Sequence, residues 1–433
     1  MALKEIQRSI RRKRHEKISR ILFPFRKYGR GCEEGSFMEE EIRLNQALYS
    51  SMMVFDQNRQ NSRMENGERV YFTAPRGFET TEDGSMVFHF YAPDAKTVEI
   101  RGWGGTFPKD TPHFLTKRED GWWEGTVSAS QIEPGFHYHD VYVDGVRTLN
   151  PREPIGYGSG RFANYSDTPD PENTFYLLKD VPHGSVRMEL YHSELCNMTR
   201  NCWVYLPPNY DKEPEKRYPV WYLHHGGGEN EIGWIWQGKV NLILDNMLAA
   251  GECEEMIIVM NAFDAFAPTD EDGIYKNIEY CDVLAKDCVP FIDSKFRTIA
   301  DKDHRAVAGL SFGVVHSYLA AFRYPELFAW IGCFSGHIMP ISRDGAYFGR
   351  TFDFSDVFKD KELFNSRIRL MWHGGGFREG FGSARTFPGD VMPYKWEEYK
   401  AAGYHVDGQG YRGFHEWDTW RFCARDFAKL LFK

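Results

Sequence analysis

No apolar run in this 433-residue chain approaches the length of a membrane span, and no apolar core of signal-peptide length follows the basic residues at its start. The sequence has no His-Glu-x-x-His pair, no phosphate-binding loop and no dinucleotide-binding glycine fingerprint. Cysteine is sparse for the length. The eight residues, Cys32, Cys196, Cys202, Cys253, Cys281, Cys288, Cys333 and Cys423, scatter without the spacing of a metal site or a disulfide framework. They read as reduced core or helix-face residues of a cytoplasmic protein, a setting in which sequons at Asn164 and Asn197 carry little weight. Positive charge is also short overall, and a formal charge of −9 argues against a nucleic-acid binder.

The charge is uneven. The first thirty residues carry eleven Lys or Arg against two Glu, a net of +9, which leaves −18 for the remainder. Such a head reads first as a solvated or docked face, on the acidic body of its own chain or on a neighbouring subunit. Aromatics, at 16%, are plentiful, and Trp and Tyr often line sugar or aryl-ligand sites.

Four regions emerge along the chain. Residues 1–66 form a basic, partly helical extension. Residues 67–165 alternate in short segments such as "MVFHFYAP", "TVEIRGW" and "WWEGTVS", which predicts an all-β, immunoglobulin-like sandwich. Within it, "VDGV" at 143–146 predicts a hairpin turn, because Asp-Gly takes the positive φ values a type I′ turn needs. The Pro- and Asp-rich stretch around 166–178 reads as a linker. From 179 to 433 apolar strand candidates ("CWVYLP", "YPVWYLHH", "EMIIVMNAF", "HRAVAGLS", "WIGCFSG", "IRLMWHG") alternate with helical stretches. That alternation predicts an α/β fold, a mostly parallel sheet with helices on both faces.

Gly309-Leu310-Ser311-Phe312-Gly313 follows the strand candidate "HRAVA" and precedes the helical "VVHSYLAAF". A Gly-x-Ser-x-Gly alone is a weak signal. A strand, sharp turn and helix around it are what a serine nucleophile needs to project above a sheet edge. A hydroxyl requires a base to take its proton, and His415, in a glycine-containing loop before the last amphipathic stretch, is the best of fifteen histidines. His304, His316 and His337 lie close in sequence but on the elbow's own strand, its helix and a neighbouring loop. The acid should follow a later strand: Glu379 in "RIRLMWHGGGFREGF" is the choice, Asp390 the competitor and Asp353 a more distant one. Donors for an oxyanion are expected from His225-Gly226-Gly227-Gly228, with Gly227 central, and from the backbone N–H of Phe312. His224 and His225 have no third ligand at useful spacing, so no metal and no cofactor is expected.

The segments "VYLPPNYDKEPEKRYPVWYLHHGGGENEIGW", "VPFIDSKFRTIADKDHRAVAGLSFG" and "FAWIGCFSG" closely resemble the esterase-D-like hydrolases of carbohydrate esterase family one, over about 180–433. That group includes feruloyl and acetyl-xylan esterases, with enterochelin esterases as relatives. "FYAPDAKTVEIRGW", "DGWWEGTV" and "PGFHYHDVYVDGVRTLNP" resemble the early-set domain, akin to glycogen-type carbohydrate-binding modules, that often precedes them. The resemblance implies an α/β-hydrolase with Ser311 as nucleophile and His415 as its histidine. Glu379 falls where the family usually has Asp, and Val314 where relatives commonly have a further glycine, a change that would narrow the space behind the nucleophile. The implied function is a serine carboxyl-ester hydrolase of feruloyl- or acetyl-substituted plant-wall saccharides. An enterochelin-type siderophore esterase, an acyltransferase and a catalytically idle carbohydrate-binding scaffold are the alternatives. Its expected partner is an esterified oligosaccharide or aryl ester, with no nucleic acid and no membrane span. Trp103, Trp122 and Trp123 are sugar-contact candidates, and the basic extension would cover the pocket or join subunits of a homo-oligomer.

Overall fold

Apolar residues alternate between two cores along the inner strands of the large sheet, and this fixes the layers. The computed structural model describes residues 61–72, 75–109, 111–168, 170–269, 273, 275–336, 355–379 and 396–433. The extension up to residue 60 lies outside them. Residues 61–66, read from sequence as part of that extension, instead enter a hairpin of β1 (Asn61–Glu65) and β2 (Glu68–Phe72), turning at Asn66-Gly67, both with positive φ.

Ten strands follow: β3 (Phe78–Thr80), β4 (Met86–Tyr91), β5 (Val98–Gly102), β6 (His113–Phe114), β7 (Thr116–Lys117), β8 (Trp122–Val127), β9 (Gly135–Val143), β10 (Val146–Thr148), β11 (Ile155–Gly158) and β12 (Arg161–Thr168). They pair antiparallel into a four-stranded sheet, β3-β4-β8-β7, and a second sheet, β11-β12-β9-β5-β6, with β10 on β9. The predicted hairpin is present: Asp144 and Gly145 have φ of 49° and 79°, and Val143 faces Val146. Met86 and Phe88 of one sheet and Val98, Ile100 and Val141 of the other share a buried core.

The remaining chain builds an eight-stranded sheet from β13 (Ser185–Ser193), β14 (Met198–Leu206), β15 (Val220–His224), β16 (Ile257–Asn261), β19 (Arg305–Leu310), β20 (Trp330–Phe334), β21 (Leu370–Gly376) and β22 (Val406–Tyr411); the short pair β17 (Phe266–Pro268) and β18 (Tyr275–Asn277) stands apart. The order is β13-β14-β16-β15-β19-β20-β21-β22, antiparallel across its first two pairings and parallel thereafter. On β15, Val220 and Tyr222 enter one core while Trp221 and Leu223 enter the other. Strands buried on both faces in this way need helices on both sides. The helices Phe312–Arg323 and Val289–Lys295 cover one face, and Val240–Ala249 and Trp417–Ala428 the other. This is an α/β-hydrolase-like fold with a mixed sheet.

The N-terminal module is not a bead on a string. Val141 of β9 faces the module's own core, whereas Phe136 and Tyr138 enter the second core of the large sheet with Trp234, Trp417 and Trp420. The stretch read as a linker is strand up to Thr168, and its later residues Tyr176 and Leu177 are buried in that second core. Asp167 is the polar tie: its carboxylate meets Lys239 Nζ at 2.7 Å and the Arg421 guanidinium twice at 2.9 Å, all three buried. Burial alone would raise this carboxyl, and the charges of Arg421 and Lys239 outweigh it and hold it well below the carboxylate range. Asp167→Ala leaves two buried cations without a counter-charge, so we expect a loss of about 3–5 kcal/mol of unfolding free energy by urea denaturation; a change under about 1 kcal/mol would contradict the assignment.

A second tie joins His137 on β9 to Glu416, with Nδ1 at 2.8 Å from Oε2. Burial pushes the His137 imidazole down, but the hydrogen bond and charge of Glu416, with Asp418 and Glu133 behind, outweigh it and set it at about 9. A group raised above its unfolded value of 6.5 contributes its stability in full below that pH and loses it as pH rises through about 9. The stability gap between wild type and the non-titrating His137→Asn should therefore be wider at about pH 6 than at about pH 10. A gap that does not depend on pH would count against the ion pair.

Candidate active site

Every residue of β19 is buried, and the chain reverses immediately after it at Ser311, whose φ of 50° and ψ of −116° lie where a non-glycine residue is strained. The strain is held by the Ser311 N–H, which donates to the Phe334 carbonyl on β20 at 2.7 Å, and by Val314 N–H, which donates to the Ser311 carbonyl at 3.1 Å. The flanking glycines are steric necessities. A Cβ at Gly309 would stand 2.5 Å from the carbonyl of Gly313, and one at Gly313 would stand 2.3 Å from the His225 carbonyl oxygen. Val314 is fully buried and packs on Gly336, whose backbone also abuts the Ser311 carbonyl. It therefore fills a gap left by a glycine further along the chain.

The glycine loop after β15 lies against this turn. A Cβ on Gly226 would come within 3.1 Å of Ser311 Cβ, and one on Gly227 within 3.7 Å of Phe312 Cβ. Phe312 opens the helix Phe312–Arg323, so its amide stands at the positive end of the helix dipole. Gly227 and the Phe312 N–H thus share one corner beside Ser311. The module reaches the same loop, where Gly160 N–H, in the turn from β11 to β12, donates to the Gly228 carbonyl at 2.8 Å.

Glu379 follows β21 and His415 follows β22, at the same end of the sheet as Ser311. Glu379 Oε2 lies 2.5 Å from His415 Nδ1. Its other oxygen accepts from the Ser335 hydroxyl at 2.5 Å and from Gly376 N–H at 2.6 Å. A carboxylate so held presents its second oxygen to the imidazole, which fixes Nδ1 as the donor. The Glu379 side chain is 13% exposed and that of His415 46%, with the Trp420 ring edge-on at 5.2 Å. Of the competing acids, Asp390 and Asp353 lie outside the described residues, as does His337. His304 pairs with Asp301 on the surface. Sequence reasoning missed Ser335, although a serine followed by glycine at the end of the strand beside the elbow was there to be read.

Beside Ser311 stands an aromatic wall. Phe263 stacks on His225 at 4.2 Å and meets Phe312 at 5.5 Å and His316 at 4.7 Å. His225 Nδ1 lies 2.8 Å from the Gly226 carbonyl, which fixes it as the donor. Burial pushes His224 and His225 down and His316 to about 3, so all three are neutral. No metal-holding group of His, Cys, Asp or Glu occurs among the described residues.

The Esterase family model matches residues 193–423, more than half of the chain and all of the site just described. The chain belongs to the Esterase family. It is 33% identical over 365 residues to an endo-1,4-beta-xylanase/feruloyl esterase of Xylanibacter ruminicola, covering 81% of this chain and 45% of that protein. It is 31% identical over 205 residues to endo-1,4-beta-xylanase Y of Acetivibrio thermocellus, covering 46% of this chain and 17% of that one. The chain therefore spans less than half the length of these two curated relatives. Among solved structures, the enterochelin esterase of Shigella flexneri superposes with a TM-score of 0.57 over 82% of this chain and 95% of its own, at 14% identity, a likeness of fold alone.

Gly313→Ala forces a methyl group against the His225 carbonyl. It should lower stability by about 1–3 kcal/mol in thermal or urea unfolding, and a neutral result would show that the elbow is looser than its packing implies.

Proposed function

We propose that this protein is a serine carboxyl-ester hydrolase that works through an acyl-enzyme and removes feruloyl or acetyl groups from xylan-derived saccharides. The observation that carries this reading is the Glu379–His415 pair, locked by Ser335 and Gly376, at the end of the sheet where Ser311 occupies its strained turn. In this reading Ser311 Oγ attacks the ester carbonyl as its proton passes to His415 Nε2. The amides of Gly227 and Phe312 receive the developing oxyanion. Collapse expels the alcohol, which takes the proton from His415. Water, activated by the same imidazole, then releases the acid and restores Ser311. Glu379 orients His415 and balances its transient charge, the part an aspartate plays in most of the family.

An aromatic acyl group is supported by the wall of Phe263, Phe312, His225 and His316, and by the feruloyl esterase named in the Xylanibacter relative. A saccharide on the alcohol side is supported by the turn between β11 and β12, which touches the glycine loop and carries an exposed Phe162 beside Tyr157. We further propose that the module descends from an immunoglobulin-like, carbohydrate-binding ancestor and that the protein acts in the cytoplasm. The enterochelin esterase fold likeness, which extends over 82% of the chain, keeps a catecholate trilactone as the second substrate to try.

The test is a panel of methyl cinnamates, feruloylated and acetylated xylo-oligosaccharides and enterobactin, assayed with wild type, Ser311→Ala and Glu379→Gln. We expect ferulate or acetate release, its abolition in Ser311→Ala and a fall in kcat of about 10²–10⁴-fold in Glu379→Gln. Turnover that survives Ser311→Ala overturns the mechanism, and turnover of enterobactin alone overturns the substrate.

A further inference from the structure

The loop that carries His415 is held from outside the hydrolase sheet. Glu416, the next residue, turns its carboxylate into the N-terminal module, where Oε2 meets His137 Nδ1 at 2.8 Å and Oε1 accepts the Tyr138 N–H at 3.3 Å. The His137 and Glu416 side chains are 2% and 6% exposed. On the other side of His415, the Phe414 carbonyl accepts from Thr419 Oγ1 at 2.7 Å and the Gly413 carbonyl from Arg378 N–H at 3.1 Å. The Arg378 guanidinium lies 5.0 Å over the Phe414 ring and pairs with Glu133 of the module. The module's Gly104-Gly105 turn closes over both partners: a Cβ at Gly104 would stand 3.5 Å from the Phe414 ring, and one at Gly105 would fall onto the His137 imidazole.

The geometry points to His137 as a positioning residue for the reaction, acting through Glu416 to fix the backbone that carries His415. This rests on the esterase reading of Ser311, His415 and Glu379. His137 lies outside the residues 193–423 matched by the Esterase family, whereas Glu416 and His415 lie inside them, so the contact adds to the family's catalytic domain a part supplied by the module. The need for it is physical. The bond from Nδ1 to Glu379 fixes one point on the imidazole, and the ring can still swing about that point unless its backbone is held. With the side chain nearly half exposed, little packing resists the swing. A displacement of about 1 Å in a reacting group costs on the order of 10²-fold in rate.

Two substitutions separate positioning from bulk packing. Asparagine places its amide nitrogen the same number of bonds from Cα as Nδ1, so His137→Asn keeps a donor for Glu416. His137→Leu keeps the shape and removes the donor. With 4-nitrophenyl acetate we expect His137→Leu to lower kcat by about 10–100-fold while KM stays within about 3-fold, and His137→Asn to keep kcat within about 3-fold of wild type. If His137→Leu does not fold, Glu416→Gln, which removes the carboxylate and keeps its outline, should lower kcat by about 3–10-fold at unchanged KM. Ser311-dependent turnover with equal kcat in wild type and the His137 variants, or in wild type and Glu416→Gln, overturns the inference and leaves the esterase reading standing. So does a loss that His137→Asn fails to rescue. No Ser311-dependent turnover in the wild type overturns the esterase reading, and the inference with it.

Discussion

Strand β9 belongs to two cores at once, and most of what is particular to this protein follows from that constraint. A strand of a free-standing sandwich buries one face and wets the other. Here Val141 faces the module's core while Phe136 and Tyr138 face that of the large sheet, and the seven residues from Gly135 to Val141 are all buried. Charge buried in such a seam calls for a counter-charge, and Asp167 meets Lys239 and Arg421 while His137 meets Glu416. Both pairs end on the segment from Glu416 to Arg421, directly after His415. The module is thus fastened to the segment that directly follows His415.

The same logic of close approach explains the elbow. Gly309, Gly313 and Gly226 are each pressed against backbone or against Ser311 and its neighbours, so that strand, turn, helix and glycine loop converge within one side-chain diameter. Ser311 sits in a backbone conformation that its neighbours enforce rather than one it prefers. Glu379 is similarly over-determined, with a hydroxyl and an amide on one oxygen and the imidazole on the other.

Much of this was legible in the sequence because burial on both faces writes continuous apolar runs: "VWYLH", "IIVMN" and "RAVAGL" each became a strand where expected. Ser311, Glu379 and His415 could be read from the order of motifs after those strands, and the structure brings Glu379 and His415 together and sets both at the Ser311 end of the sheet. Strand β13 was missed because an edge strand exposes Met188 and Leu190 and breaks the apolar pattern, and β22 because "VDGQGY" is polar and glycine-rich. The stretch after 165 looked like a linker because Pro and Asp dominate it. Asp167, within that stretch, is buried, and its partners lie 72 and 254 positions away. No local pattern encodes a pairing at that range. The tie between His137 and Glu416, 279 positions apart, was invisible for the same reason.

The central claim is that Ser311 becomes covalently acylated. The most direct test is to quench the protein in acid within its first turnovers of methyl ferulate and map the adduct by peptide mass spectrometry. The account predicts a feruloyl group on the peptide containing Ser311, lost in Ser311→Ala and accumulating when deacylation is slowed in Glu379→Gln. Ferulate release with no adduct, or an adduct on another residue, would contradict it.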